Sequence, residues 1–181
     1  MAKTGSHPVA QVLLGQPDLY EWRDYPEGGV WDRVSGFGYF YHAHPGASFV
    51  REHGHFHLFH AEAPDDRRAL AAISVDNLGN PLGAFVANVW HVPLLGGGER
   101  ALGTAYERFK IDLVYPCYAL NLWLTALVHA LRPTLLALHK EALAIAVEEE
   151  GVAQDRAVHA LRFEALMAQD RAVHALRFEA L

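Results

Sequence analysis

The residues with the clearest capacity for chemistry in this sequence are histidines, and half of them are crowded into one short stretch. Six of the twelve histidines lie between residues 42 and 60, within the segment GYFYHAHPGASFVREHGHFHLFH. Neutral imidazole is a borderline donor that suits Zn, Fe, Cu or Ni better than Ca or Mg. The crowding therefore points to a transition-metal site.

The alternation of side chains along two predicted strands decides which of these histidines share a face. On a strand, every second residue from His53 to His57 points to one side, and His60 points to the other. An eight-residue loop would close a regular hairpin that sets His42 opposite His55, and opposite residues share a face. The imidazoles would then lie about 5 Å apart across the strands and about 6.7 Å apart along them. We predict that five histidines form the metal site: His42, His44, His53, His55 and His57.

A hydrogen-bonded polar pocket and a solvated face are the two alternatives to a metal site for this histidine cluster. Burying the imidazoles without partners would leave polar nitrogens unsatisfied, and exposing them protonated would set like charges against one another. Glu52 borders the cluster, where it would act as a metal ligand, a general base or a carboxylate that orients an imidazole. Glutamates at loop edges are more often solvated. His91 is a weaker candidate from a neighbouring strand.

Length and composition limit the classes of function. The chain has 181 residues, of which 51% are hydrophobic, and a net charge of -6 without a basic cluster, which argues against a nucleic-acid partner. Cys117 is the only cysteine, so there is no internal disulfide framework, and a reducing cytoplasm is expected. The most apolar run, residues 113–128, is interrupted by Pro116 and Asn121 and is too short to span a membrane, so we interpret it as a buried helix.

The element pattern predicts an α+β fold. We expect a short helix and then an ordered loop within residues 9–36, followed by a four-stranded antiparallel meander packed against carboxy-terminal helices. The strands are predicted at 37–44, at 53–61 and on both sides of DNLGNP, and the helices after the GGGER loop, at 118–131 and from Pro133 to about residue 150. Residues 1–150 should form a single domain that carries the histidine hairpin.

The carboxy terminus repeats itself. The sequence AQDRAVHALRFEAL occupies residues 153–166 and again 168–181. Both copies have the apolar spacing of a helix, and solenoid arrays need three or more diverged units, so we interpret residues 151–181 as a helical extension rather than an array. Its apolar stripe offers a surface for homo-oligomer formation.

Several stretches together resemble an uncharacterised bacterial family that is known only as a domain of unknown function. They are YEWRDYPEGGVWD, YFYHAHPG, EHGHFHLF, AAISVDNLGNP and NLWLTAL, and the resemblance runs from about residue 10 to residue 131. It implies a natural bacterial protein. It also implies a functional set consisting of His42, His44, Glu52, His53, His55 and His57. The chain departs from the pattern at Val89, where a basic residue is expected, and this weakens any role for His91.

Three functions remain open at this point. The first is a small mononuclear metalloenzyme, hydrolytic or oxygen-dependent, in which about three imidazoles hold the ion, an open position takes water or dioxygen, and Glu52 moves protons on a small-molecule substrate. The second is a non-catalytic metal-binding, storage or sensing module. The third is a helical interaction protein with an incidental histidine patch.

Overall fold

In the computed structural model, the described residues are 6–16, 18–43, 51–86 and 93–149, with side chains described as far as residue 144. The strands are β1 (Tyr25–Trp31), β2 (Phe37–His42), β3 (Gly54–Ala61), β4 (Arg67–Val75) and β5 (Pro81–Phe85). The helices are α1 (Pro8–Val12), α2 (Glu99–Arg108), α3 (Tyr118–Ala130) and α4 (Arg132–Glu149). The predicted carboxy-terminal extension and two of the candidate histidines, His44 and His91, lie outside the described residues.

The strands form one antiparallel sheet in the order β1-β2-β3-β4-β5, so the predicted meander is confirmed within an α+β fold. The predicted number of four strands is wrong, because residues 25–31, for which the sequence pattern predicts an ordered loop, form β1. The sequence of β1, YPEGGVW, combines turn-forming residues that an edge strand tolerates. Gly28 and Gly29 adopt positive φ angles of 76° and 77°. The pairing with β2 is irregular between Tyr25 and Val30.

The helices occupy the predicted positions. The apolar helix expected at 118–131 is α3, which ends at Ala130, and the helix expected to begin at Pro133 begins one residue earlier. Proline lacks the amide hydrogen that a helix interior needs and is favoured in the first helical turn, so it marks such starting points well. Among the helices that the structure describes, none has the length and apolar character needed to cross a membrane.

One face of the sheet packs against the helices and forms the core. Trp123 of α3 packs against Phe56 of β3, with 5.7 Å between the ring centroids. Asn121, the polar residue of this apolar helix, is fully buried. Its side-chain amide donates to two backbone carbonyls of the preceding loop at 2.7 and 2.9 Å, and its oxygen accepts from the hydroxyl of Tyr39 at 2.6 Å. Asn121 therefore joins the loop, α3 and β2 through hydrogen bonds that leave its polar atoms satisfied.

A buried histidine of α4 shows how this fold uses an imidazole for structure alone. His139 donates from Nε2 to the carbonyl of Leu95 and accepts at Nδ1 from the hydroxyl of Tyr106, each at 3.0 Å. Burial lowers the pKa of His139 to about 4, although the hydrogen bond to Leu95 acts in the opposite direction. His139 is therefore neutral at pH 7, with both ring nitrogens engaged in packing α4 against its neighbours.

Candidate metal centre

The sheet face opposite the helices carries three of the five predicted histidines, His42, His55 and His57. In the pairing of β2 with β3, His42 lies opposite His55 and Phe40 lies opposite His57. The opposition of His42 and His55 confirms the predicted hairpin register, and because opposite residues share a face, His57 joins them two residues further along. We call this surface the histidine face.

Three imidazoles meet on the histidine face. The ring centroids of His55 and His57 are 4.7 Å apart. The ring centroid of His42 lies 5.5 Å from that of His55 and 5.6 Å from that of His57. Each of the three offers one ring nitrogen, and these nitrogens all lie within 4.8 Å of one another. Among the described residues, this triad is a group that could hold a metal ion. No ion is needed to explain the triad's position, because strand pairing alone brings the three rings together.

Glu52 is the carboxylate partner of the triad. Its side chain and that of His55 are each only 1% exposed, and Oε1 of Glu52 lies 2.5 Å from Nδ1 of His55. The common expectation of a solvated glutamate at a loop edge therefore does not apply to Glu52. Since an ionised carboxylate can only accept, the contact places the proton of His55 on Nδ1 and the ring's lone pair on Nε2. This is the arrangement in which a carboxylate orients a metal-binding histidine.

A second carboxylate approaches the triad from the segment before β1. Oδ1 of Asp24 lies 3.4 Å from Nδ1 of His42, a longer contact made by a carboxylate that is 39% exposed. Together, Asp24 and Glu52 set two negative charges beside three imidazoles, which favours a bound cation. The sequence pattern did not predict a role for Asp24, because the position of Asp24 depends on β1. The glycines and the proline of β1 had indicated a loop instead of a strand.

Aromatic side chains surround the triad. Phe40 stacks on His57 with 4.7 Å between centroids and 21° between planes. Phe85 meets His55 edge-on at 5.0 Å, and Trp22, which is 70% exposed, meets His42 edge-on at 6.1 Å. Rings of this kind exclude water from part of the site and lower the local dielectric, which strengthens the attraction between a cation and the two carboxylates.

The structure does not bring His53 to the triad. His53 precedes β3, and its Nδ1 lies 2.7 Å from the hydroxyl of Tyr41, a core residue of the opposite face. Gly54 makes this contact possible, since a β-carbon there would stand 2.6 Å from the same hydroxyl oxygen. Burial lowers the pKa of His53, and the charge of His7 adds to the effect. Strand alternation did not reach His53 because the strand begins one residue later.

His60 stays apart from the triad, in agreement with its parity along β3. Its ring packs edge-on against Phe37, with 5.0 Å between centroids, and Phe37 in turn packs against Phe109 in the core. His60 and the triad therefore lie on opposite faces of the same strand. His60 is for this reason a useful reference residue when the triad is altered.

Comparison with known proteins gives a family and no activity. A family model described as a domain of unknown function, DUF6969, matches residues 1–165. The chain belongs to the DUF6969 family. No curated protein and no solved structure matches the DUF6969 chain. The predicted membership of an uncharacterised family is thus confirmed, and what this DUF6969 chain does has to be argued from its own site.

The DUF6969 match is longer than the resemblance carried by the motifs. The motifs lie between about residue 10 and residue 131, outside the duplicated tail, whereas the match continues to residue 165. It therefore includes all but the last residue of the first repeat copy, and the second copy follows the matched range.

The triad of this DUF6969 chain suits a first-row transition ion in chemical type and nearly in spacing. A tetrahedral ion with bonds of 2.0 to 2.1 Å holds its ligand nitrogens about 3.3 Å apart. The three nitrogens, which lie within 4.8 Å of one another, would have to approach by at most about 1.5 Å. Side-chain rotation can supply a movement of this size without a change in the sheet.

Proposed function

We propose that this protein binds one transition-metal ion through His42, His55 and His57. The observation that carries the proposal is the convergence of three imidazole nitrogens within 4.8 Å, two of their rings being backed by carboxylates. The carboxylates of Asp24 beside His42 and of Glu52 beside His55 would favour a cation that the three imidazoles bind. The ligand type favours Zn, Fe, Cu or Ni, and the choice among these ions depends on metal supply as well as geometry.

We further propose that the site is that of a small mononuclear metalloenzyme. Three protein ligands leave one position of a tetrahedral ion for water or for substrate, which is the usual difference between a catalytic and a structural zinc site. Such an ion would act as a Lewis acid and would activate the water bound to it. Glu52 would hold His55 in the tautomer that presents Nε2, so we assign Glu52 to positioning rather than to proton transfer.

The alternative is a closed storage or sensing site, in which a fourth protein ligand completes the coordination. The visible spectrum of bound Co²⁺ reports the number of ligands, so it distinguishes a closed site from an open one. We expect the purified chain to take up one Co²⁺ with a spectrum that changes when azide is added, because azide occupies an open position. A spectrum that azide leaves unchanged indicates the closed site, and a chain that takes up no Co²⁺ contradicts the metal proposal altogether.

The pH dependence of Co²⁺ uptake provides a second test of the donor type. Imidazole must be neutral to bind, so metal competes with protons and the affinity should fall as the pH is lowered through about 6.5. A site of carboxylate ligands would keep its affinity down to about pH 5, since free carboxyl groups titrate near pH 4. An affinity that is unchanged between pH 8 and pH 5, read by competition with a coloured chelator, would argue against the triad.

A further inference from the structure

The histidine face continues beyond the triad as a line of aromatic rings. His57 stacks on Phe40 with 4.7 Å between centroids, and Phe40 lies 6.5 Å from Phe59, which is two residues further along β3. Phe59 pairs with Gly38, so no side chain from β2 covers its ring at this position. Phe40 and His57 are half-buried and can be reached from solvent, whereas Phe59 is buried at the far end of the line.

A guanidinium group stands at the far end of this line. Cζ of Arg67 lies 4.7 Å above the ring of Phe59, and its Nη2 donates to the carbonyl of Gly28 at 2.8 Å. These two contacts hold the group in place but use only one of the five N–H donors that a guanidinium has. Arg67 is half-buried, which strengthens its attraction to an anion relative to an arginine in bulk water.

The positive charge at this end is not neutralised by the described part of the chain. Arg33 stacks on Trp31 with Cζ 5.3 Å from the ring, and Trp31 pairs with Gly38, the partner of Phe59, so a second guanidinium lies at the same end. Among the described residues, neither Arg67 nor Arg33 takes part in an ion pair, whereas the adjacent Arg68 is paired with Asp66 at 2.7 Å. An anion that binds here would therefore meet two guanidinium groups that no carboxylate of the described residues neutralises.

We propose that the ligand of the metal site is a small carboxylic acid whose carboxylate is held by Arg67 while its other end reaches the metal. This inference rests on the proposed metal function and adds the substrate class to it. Phe59 lies four positions beyond His55 along β3, which corresponds to about 13 Å. The acid is therefore elongated, with an apolar or planar middle that lies on Phe40. An anchored guanidinium suits a carboxylate because it can donate two parallel hydrogen bonds.

Two probes of equal length test the inference. Suberic acid monohydroxamate carries a metal-binding hydroxamate at one end and a carboxylate at the other, and its primary amide replaces the carboxylate by a neutral group of the same size. With the Co²⁺-loaded protein, we expect the acid to bind about tenfold or more tightly than the amide, since hydrogen bonds between charged groups are worth about 1.5–3 kcal/mol. Equal affinity of the two probes in the unaltered protein overturns the inference without any variant.

Variants then locate the effect. Arg67→Gln should bring the ratio of the two affinities close to one and leave the affinity of the amide unchanged, and Arg67→Lys should restore part of the ratio. Arg68→Gln removes the same charge from an adjacent, paired position and should leave the ratio unchanged. A ratio that survives in Arg67→Gln overturns the assignment to Arg67. The Co²⁺ content of each sample tests the metal proposal separately. It distinguishes a protein that binds no metal from one that binds metal but does not prefer the acid.

Discussion

Replacing His55 and His57 together with alanine should abolish metal binding while the helices persist. The two rings are the closest pair of the triad, with 4.7 Å between centroids, and their loss leaves His42 as the one remaining member of the triad. Structural zinc sites gain roughly 10–16 kcal/mol from about four ligands, so the loss of two should weaken binding by several orders of magnitude. Elemental analysis after metal loading gives the stoichiometry, and circular dichroism shows whether the helices remain.

Two single variants serve as controls for the double variant. His60→Ala changes a histidine of the same strand on the opposite face, and His53→Ala changes one whose ring contacts Tyr41 instead of the triad. Both should retain one ion per chain, although each loses packing contacts. Full metal content in the double variant, or loss of metal in His53→Ala alone, would place the site elsewhere on the chain.

Glu52→Gln should lower metal affinity by about 10- to 100-fold, the usual effect of removing a group that orients a metal-binding histidine. Glutamine has the shape of glutamate and its amide oxygen still accepts a hydrogen bond, so the local fold is kept. Glutamine lacks the negative charge that stabilises a cation bound to His55. Because the side chains of Glu52 and His55 are each only 1% exposed, water compensates little for the lost charge. Chelator competition on the purified variant measures the change.

The matched control is Glu62→Gln, which removes the same charge from an exposed residue just after β3. It should leave the metal affinity unchanged. If Glu52→Gln binds metal as tightly as the unaltered protein, then Glu52 serves only the fold and does not position His55 for a metal.

The part of the site that sequence predicted is the part fixed by strand alternation. His42, His55 and His57 belong to regular stretches of β2 and β3, where pairing determines the face of every residue. His53 escaped this rule because it precedes the strand, and because Gly54 opens a path for Tyr41 to reach it. The burial of Glu52 could not be foreseen either, since it depends on a tertiary contact with His55 rather than on a local pattern.

The fifth strand and its neighbourhood show a second limit. Proline and glycine in β1 are typical of turns, so the sequence pattern did not predict a strand there. An edge strand tolerates these residues because one of its sides has no pairing partner in the sheet. Asp24, which lies just before β1, and Arg67, whose position depends on Phe59 and Gly28, were hidden with it. Helix starts were predictable because proline acts locally, whereas contacts between separate strands are not encoded in any short segment.

The most direct test of the metal site is nitrogen-15 NMR of the histidine rings while the unaltered protein takes up one equivalent of Zn²⁺. We predict that three imidazoles change to the chemical shifts of metal-bound rings, and that selective loss of signals in single variants assigns them to His42, His55 and His57. His42 and His55 should bind through Nε2, since their Nδ1 atoms face Asp24 and Glu52. Binding through a set that lacks any member of the triad, or no metal-bound ring at all, would contradict the proposed site.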